Sequence, residues 1–376
     1  MDSPAPLPLI EISGPPRKRG RAYGEQAREQ VRASLGYYRE AMTGPAGLSW
    51  EEVTGRAAQW RPAVGEFAPD LLEEVVGIAE GAGCAEAEIL ALNARSELLY
   101  AAAAGAEREE CTSFALLGEA SGDGHTYCGQ NWDWRAGAQD SVIMLRVLAP
   151  GRPTLIMQIE AGQVGRHGAS SAGIGLNANG LKSPPSCGLG LPQAFIRRRV
   201  LEAPSFPAAL KVIFSARQQI AANLLLTHRD GFAIDLETTP ARHGWLYPDG
   251  GILVHGNHYQ AFLPGSLAET YRPGSADSLY RSPRLSAALQ SARDETTGHG
   301  VRKVIGAGLR DHFGYPESVC CHPDPAEPTV DRWQTVSSSI VDLTTGDYLV
   351  AAGPPCGAEY TPLPWNLYSD ADSPPS

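Results

Sequence analysis

No stretch of eighteen or more apolar residues occurs in the chain, so nothing in it reads as a membrane-spanning helix. The opening residues, MDSPAPLPLIEISGPP, have neither the basic start nor the long apolar core of a secretory signal, and a cytoplasmic protein is expected. Positive charge is scarce. Against 42 Asp and Glu there are 31 Lys and Arg, a net charge of -11, so nucleic acid is not an expected partner. The one basic cluster, Arg17-Lys18-Arg19, lies among Pro and Gly and reads as a solvated N-terminal tail. No Walker or dinucleotide glycine motif is present, and no bound cofactor is expected. The seven cysteines are odd in number and lack framework spacing, so they read as reduced thiols. Cys320, Cys321, His322, His255 and His258 have none of the ligand spacings of a zinc site, and no metal is expected.

What the chain does have is glycine (41) and proline (30), which imply many turns and short strands. The first 110 residues read as mostly helical. Ala27, Val31, Leu35, Tyr38 and Met42 recur at three- and four-residue steps and make one apolar face. Ser49 with Glu52 forms a capping-box pattern, and Asp70 with Glu73 opens a helix that the glycines at 81 and 83 stop. One further helix is expected over 85–104. The texture changes at Cys111. CTSFALL and TYCGQNWDW read as strands joined by the turn-rich GEASGDGH. VIMLRVL, TLIMQIEA, SSAGIGLNANGL, NLLLTHRDGFAIDL and GILVHGNHY follow as strands, with helices expected over 191–219, 282–293 and 301–312. TVSSSIVDLTTGDYLVAAG reads as a hairpin around Thr344-Thr345-Gly346-Asp347, and the tail beyond about residue 362 as loose. Strand pairs interrupted by helix pairs indicate an α+β sandwich with antiparallel sheets between helical layers.

Among the cysteines, Cys111 stands out by position: it follows the charged run Glu107-Arg108-Glu109-Glu110 and opens a strand. A hairpin turning near residue 121 puts residue 111 opposite residues 131–133. Asn131 and Asp133, two apart, share a face. A thiol, a carboxamide and a carboxylate are thus expected to converge at one strand end.

The order of motifs resembles the acyl-coenzyme A:6-aminopenicillanic acid acyltransferase family, penicillin acyltransferases and their relatives (peptidase family C45). GIAEGAG at 77–83 and LNARSEL at 92–98 precede CTSF at 111–114. GQNWDW at 129–134, IEAG at 159–162, SAGIGLNANGL at 171–181, HGNH at 255–258 and YPESVCC at 315–321 follow. The resemblance runs from about residue 20 to about residue 355. It implies the four-layer αββα sandwich of N-terminal nucleophile hydrolases and a precursor that cuts itself between Glu110 and Cys111. A helical α-chain (1–110) and a strand-rich β-chain (111–376) would then stay together as one domain.

By that resemblance Cys111 is the nucleophile. Its freed α-amine, with a reference pKa of about 7.7–8.0, serves as base. The product of attack is an acyl-cysteine thioester, passed to an amine or to water, and the resemblance allows acyl-coenzyme A as co-substrate. The resemblance also assigns Asp133 to orienting the terminal amine and the side-chain amide of Asn257 to the oxyanion. Thr112, Asn131, Asn177 and His258 are expected to support substrate or structure. Arg95 and Glu97, in LNARSEL, are expected either to bind the precursor peptide or to close a buried ion pair across the two chains. Expected partners are a small-molecule acyl donor, an amine or water acceptor, and the cleaved α-chain. The chain departs from the family pattern in three places. Glu110 stands for the Gly before the nucleophile, Cys321 for an Arg, and Ala222 for a Ser. A histidine-assisted Cys111–His258 enzyme that is never cut, and a non-catalytic binding protein on the same fold, are the alternatives.

Overall fold

A computed structural model describes residues 6–43, 48–102, 110–183, 188–329 and 332–369. The expected run 107–109, Cys187 and the end of the helix expected over 85–104 lie outside these residues. The first part folds into a short strand β1 (Leu9–Ser13) and seven helices. These are α1 (Pro16–Gln26), α2 (Arg28–Thr43), α3 (Trp50–Ala58), α4 (Arg61–Phe67), α5 (Pro69–Ala82), α6 (Glu86–Asn93) and α7 (Arg95–Ala102). Ser49 and Glu52 make the expected capping box on α3, and Gly83 ends α5 in the left-handed conformation at φ 73°. The GIAEGAG motif has a packing reason. A Cβ on Gly77 would strike the backbone of α1 at Arg17, and one on Gly20 the backbone of α5 at Glu74, so the two helices cross at glycine distance.

The basic cluster at 17–19 is not a solvated tail. It lies on α1, where Arg17 pairs with Glu80 and Arg19 is buried against Glu74 at 2.5 Å. The single helix expected over 85–104 is two helices, broken at Ala94. Tertiary bonds win there over local propensity. Asn93 bonds to the main chain of Gly162 and Val164, and Arg95 to Glu160.

From residue 110 on, the strands are β2 (Glu110–Leu116), β3 (Tyr127–Arg135), β4 (Val142–Leu148), β5 (Leu155–Glu160), β6 (His167–Ser170), β7 (Ile174–Gly180), β8 (Ala222–His228), β9 (Phe232–Thr238), β10 (His243–Leu246), β11 (Ile252–His255), β12 (Trp333–Asp342), β13 (Asp347–Ala352) and β14 (Thr361–Asn366). Helices α8 (Gln193–Leu201), α9 (Phe206–Ser215), α10 (Ser278–Leu289) and α11 (Gly298–Leu309) interrupt them. One sheet has the order β1-β4-β5-β6-β7-β8-β9-β10 and the other β11-β2-β3-β12-β13-β14. The sheets face each other through β2, β3 and β11 on one side and β7, β8 and β9 on the other. Helices including α1, α2 and α8 cover the eight-stranded sheet, and α10 and α11 the six-stranded one. This is the four-layer αββα sandwich. One apolar core runs from Leu7 to Leu367 and draws on residues from both sides of position 111.

Two strands depart from expectation. β1 joins the eight-stranded sheet parallel to β4, so that sheet is not wholly antiparallel. The tail is not loose over 361–366: β14 pairs with β13. Both are sheet edges, where Pro362 and Pro364 cost no ladder bond on the open side.

Candidate active site

β2 and β3 pair antiparallel with Cys111 opposite Trp132, within the expected register. Cross-strand partners share a face. Cys111 therefore projects on the face of Trp132, while Thr112 with Asn131, and residue 110 with Asp133, belong to the other. Thiol, carboxamide and carboxylate do meet at one strand end, but the thiol projects on the opposite face from the other two. Alternation along a strand sets position 111 against positions 110 and 112, and its partners follow. Asn131 points into the α11 layer. It donates to the carbonyls of Leu309 (2.8 Å) and Val319 (2.6 Å) and accepts from Ser338 (2.5 Å). The Asp133 carboxylate is buried and accepts from the Thr335 hydroxyl at 2.5 Å. Its main-chain oxygen lies 3.9 Å from Cys111 Sγ.

The main chain of Cys111 is held by a buried polar network. Its N–H donates to Asn257 Oδ1 at 2.8 Å. Its carbonyl accepts from Asn179 Nδ2 (3.0 Å) and from Arg281 (2.6 Å). Arg281, on α10, also donates to Thr112 Oγ1 (2.6 Å) and Asn257 Oδ1 (2.9 Å), and pairs with Asp277 (2.6 Å). With Oδ1 fixed by two donors, the amide of Asn257 is locked. Its Nδ2 donates one proton to the Gly180 carbonyl at 3.1 Å. Asn179 also accepts from Ser113 (2.6 Å) and Asn223 (3.3 Å), and Asn223 in turn donates to Asp235 (2.8 Å). His255 stands against Glu237 (3.0 Å) and Asp235 (3.6 Å).

The thiol faces a cavity of about 20 Å³, lined by Arg95, Ser96, Trp134, Arg166, Gly180 and Arg197 among others, which is room for one water. Arg95 forms a buried ion pair with Glu160 (2.6 Å) and stacks over Trp134 (4.2 Å). Of the two expectations for Arg95, the ion pair forms, and it joins the segments on either side of residue 111. Glu97 accepts from the Gln193 main chain (2.9 Å), and burial raises its pKa. Arg166 lies 3.8 Å over Trp132. Burial, with Arg95 adding to it, lowers the Arg166 pKa to about 9, and a thiolate at Cys111 acts in the opposite direction. A cation so placed favours that thiolate in return.

The remaining expected residues lie outside this cluster. Asn177 is buried on β7, and its Oδ1 has no hydrogen-bond partner among the described residues. His258 bonds to Ser278 (2.7 Å) and stacks on His255 (ring centroids 6.3 Å apart). Burial, then the charges of His255 and Arg281, hold its pKa down at about 4. Sequence reasoning missed Arg281 and Asn179. The signal for Arg281 was present: it shares the apolar stripe of α10 with Leu285 and Leu289, where an arginine needs partners.

The family model described as "Acyl-coenzyme A:6-aminopenicillanic acid acyl-transferase" matches residues 120–305, a stretch that holds Asp133, Asn179, Asn257 and Arg281. The acyl-coenzyme A:6-aminopenicillanic-acid-acyltransferase 40 kDa form of Emericella nidulans is 27% identical over 320 residues, covering 83% of this chain and 84% of that protein. Among solved structures, penicillin V acylase from Agrobacterium tumefaciens is similar at 15% identity and a TM-score of 0.43, over 64% of this chain and 83% of that one. A mutant form of conjugated bile acid hydrolase from Clostridium perfringens is similar at 12% identity and a TM-score of 0.45, over 68% of this chain and 97% of that one. The motif order along the sequence, the matched stretch and the relative aligned over most of both chains agree: the chain is similar to the acyl-coenzyme A:6-aminopenicillanic acid acyl-transferase family.

Proposed function

We propose that this protein is an enzyme that transfers or hydrolyses acyl groups at amide bonds through Cys111, after cutting its own chain between Glu110 and Cys111. The observation that carries the reading is the bond from the Cys111 main-chain nitrogen to Asn257 Oδ1 at 2.8 Å. An acceptor built for that nitrogen serves it equally as an amide before the cut and as an amine after it.

Cys111 Sγ attacks the Glu110 carbonyl carbon, its proton passes to the leaving nitrogen, and the peptide C–N bond breaks to leave a thioester. Water, for which the cavity beside the thiol has room, hydrolyses that thioester to the Glu110 carboxylate and a free thiol and amine. In the cut enzyme the α-amine takes the thiol proton, and the Arg281 charge on the same Asn257 oxygen disfavours the ammonium form. The thiolate then attacks the acyl donor. The Asn257 Nδ2 proton not used by Gly180 serves the oxyanion, a role worth about 2.7–4 kcal/mol for one donor. Asp133 acts as a positioning residue: its carboxylate is anchored on Thr335 and its main-chain oxygen faces the thiol. Arg166 and Arg197 beside the cavity favour the thiolate form of Cys111.

The similarity to an acyltransferase that uses acyl-coenzyme A supports an acyl-coenzyme A ester as donor and an amine as acceptor. Intact mass under denaturing conditions tests the reading. In proportion to residues 1–110 and 111–376 of a 40.0 kDa chain, pieces of roughly 11.7 and 28.3 kDa are expected, the larger beginning Cys-Thr-Ser-Phe. Cys111→Ala should remain whole. A wild-type chain that stays at 40.0 kDa through prolonged incubation sinks the mechanism.

A further inference from the structure

Away from Cys111, four soft donors meet at one point. His312, just beyond α11, Cys320 and His322 in the following loop, and Cys356 in the turn after β13 bring their ligand atoms within 4.8 Å of one another. His322 Nε2 lies 3.2 Å from His312 Nε2, 3.5 Å from Cys320 Sγ and 3.3 Å from Cys356 Sγ. Hydrogen bonding does not account for this. An imidazole nitrogen donates once or accepts once, and here one nitrogen has three polar neighbours. A tetrahedral zinc ion with Zn–S of about 2.3 Å and Zn–N of about 2.0–2.1 Å holds its ligand atoms roughly 3.3–3.8 Å apart. The three separations are close to that spacing. Two thiolates and two imidazoles in a tetrahedral array are also the donor set that zinc favours.

We propose that His312, Cys320, His322 and Cys356 form a structural zinc site. With four protein ligands the coordination is closed, and binding sends the two thiol protons to solvent. Main-chain hydrogen bonds hold the donors together. Cys320 N donates to the Asp311 carbonyl (3.0 Å) and His322 N to the Pro316 carbonyl (3.0 Å). Arg310, at the end of α11, clamps the turn that carries Cys356 by donating to the carbonyls of Pro355 (2.7 Å) and Ala358 (3.0 Å). The chain was expected to hold no metal. Of the residues weighed for one, Cys320 and His322 take part, whereas Cys321 bonds through its main chain to Thr335, and His255 and His258 sit in the Glu237–Ser278 network. His312 and Cys356 are 44 positions apart, which no ligand-spacing pattern would connect. The loop also serves the catalytic sheet. Val319 accepts from Asn131, and Cys321 holds the Thr335 that anchors Asp133. Zinc would therefore fix the backing of β3 while remaining chemically independent of Cys111.

The test is metal retention by the full-length protein after reduction, loading with zinc chloride and gel filtration, with cobalt substitution as the spectroscopic probe. Wild type should retain about one zinc, and its cobalt form should show thiolate-to-metal charge transfer with the intense visible bands of tetrahedral coordination. Cys356→Ser and His312→Ala, both at exposed positions, should each weaken zinc binding by about 100-fold or more, the upper end of what losing an outer-shell partner costs. Their circular dichroism should be unchanged. A wild type that retains less than about a tenth of an equivalent, or variants that retain as much as wild type, would overturn the site, whatever becomes of cleavage at Cys111.

Discussion

Cys111 and Cys320 are both buried thiols within one fold, and their neighbours give them opposite chemistries. Around Cys111 stand Arg95, Arg166 and Arg197, with amides holding its main chain, and the imidazole of His258 is turned to Ser278. Around Cys320 stand a second thiol and two imidazoles. Fixed cations favour a thiolate while leaving its lone pairs free to attack, whereas neutral imidazoles and another thiol share a metal with it. Residue type alone decides neither outcome.

The sharpest way to break the comparison is to exchange losses. Cys111→Ala should abolish both self-cleavage and turnover while keeping the zinc. Cys356→Ser should lose the zinc yet still cut at 110/111. Mass spectrometry with metal analysis on the two variants reads this directly, and a Cys356→Ser protein that fails to cut would merge the two sites into one.

Arg281 comes next. Replacing it with Met leaves the Asp277 carboxylate buried without its ion pair and takes a donor from the Cys111 carbonyl. Breaking a buried pair from one side costs about 3–5 kcal/mol, so chemical denaturation should show a loss of that size together with slowed cleavage. Stability near that of wild type would show that the network has another support. Asn257→Ala should reduce turnover of already cut enzyme by about 10²–10³, the loss of one oxyanion donor, with zinc content unchanged. If only KM moves, Asn257 serves binding rather than the transition state.

How far these sites could be read in the sequence follows from the range of the signals. The strand that opens at 111 and its register with β3 are local, since a turn-rich loop joins two apolar runs. The face each side chain takes depends on the register to a single residue, so Asp133 and Asn131 were expected beside the thiol and lie on the other face. Arg281 could have been noticed as a charge on an apolar helical stripe, but its partners at Cys111 and Thr112 lie some 170 residues away in the chain. Edge strands β1 and β14 carry too little periodicity to stand out, and prolines hide the second. The cluster at His312 and Cys356 depends wholly on tertiary proximity.

Removing zinc should act on stability alone. A ligand present at about 100 times its Kd stabilises the folded state by about 2.7 kcal/mol. Chelation of wild type should therefore lower the denaturation midpoint to that of Cys356→Ser and leave the variant unmoved. A chelator that destabilises both equally would be acting elsewhere.

Acid gives the smallest and finest separation, because the imidazoles of His255 and His258 and those of the cluster answer to different causes. Burial opposes charge on His255, but Asp235 and Glu237 outweigh it and raise its pKa. Its stabilising charge is fully present below pH 6.5 or so, the ordinary value, and is lost as pH climbs through the raised folded value. For His258 burial leads and the charges of His255 and Arg281 add, so its pKa falls to about 4. The folded state keeps His258 neutral while the unfolded chain takes up a proton, so stability present above pH 6.5 or so is lost as pH falls towards 4. Each group contributes at most about 1.4 kcal/mol per pH unit. Cluster imidazoles add an acid loss of their own by releasing zinc, so the measurement belongs in the Cys356→Ser background. There, His258→Asn should flatten the fall in stability between about pH 6.5 and 4, and His255→Asn should remove a loss on the alkaline side. If His258→Asn keeps the full acid slope, the proton is taken up elsewhere, and His258 is not the half-buried neutral group its surroundings describe.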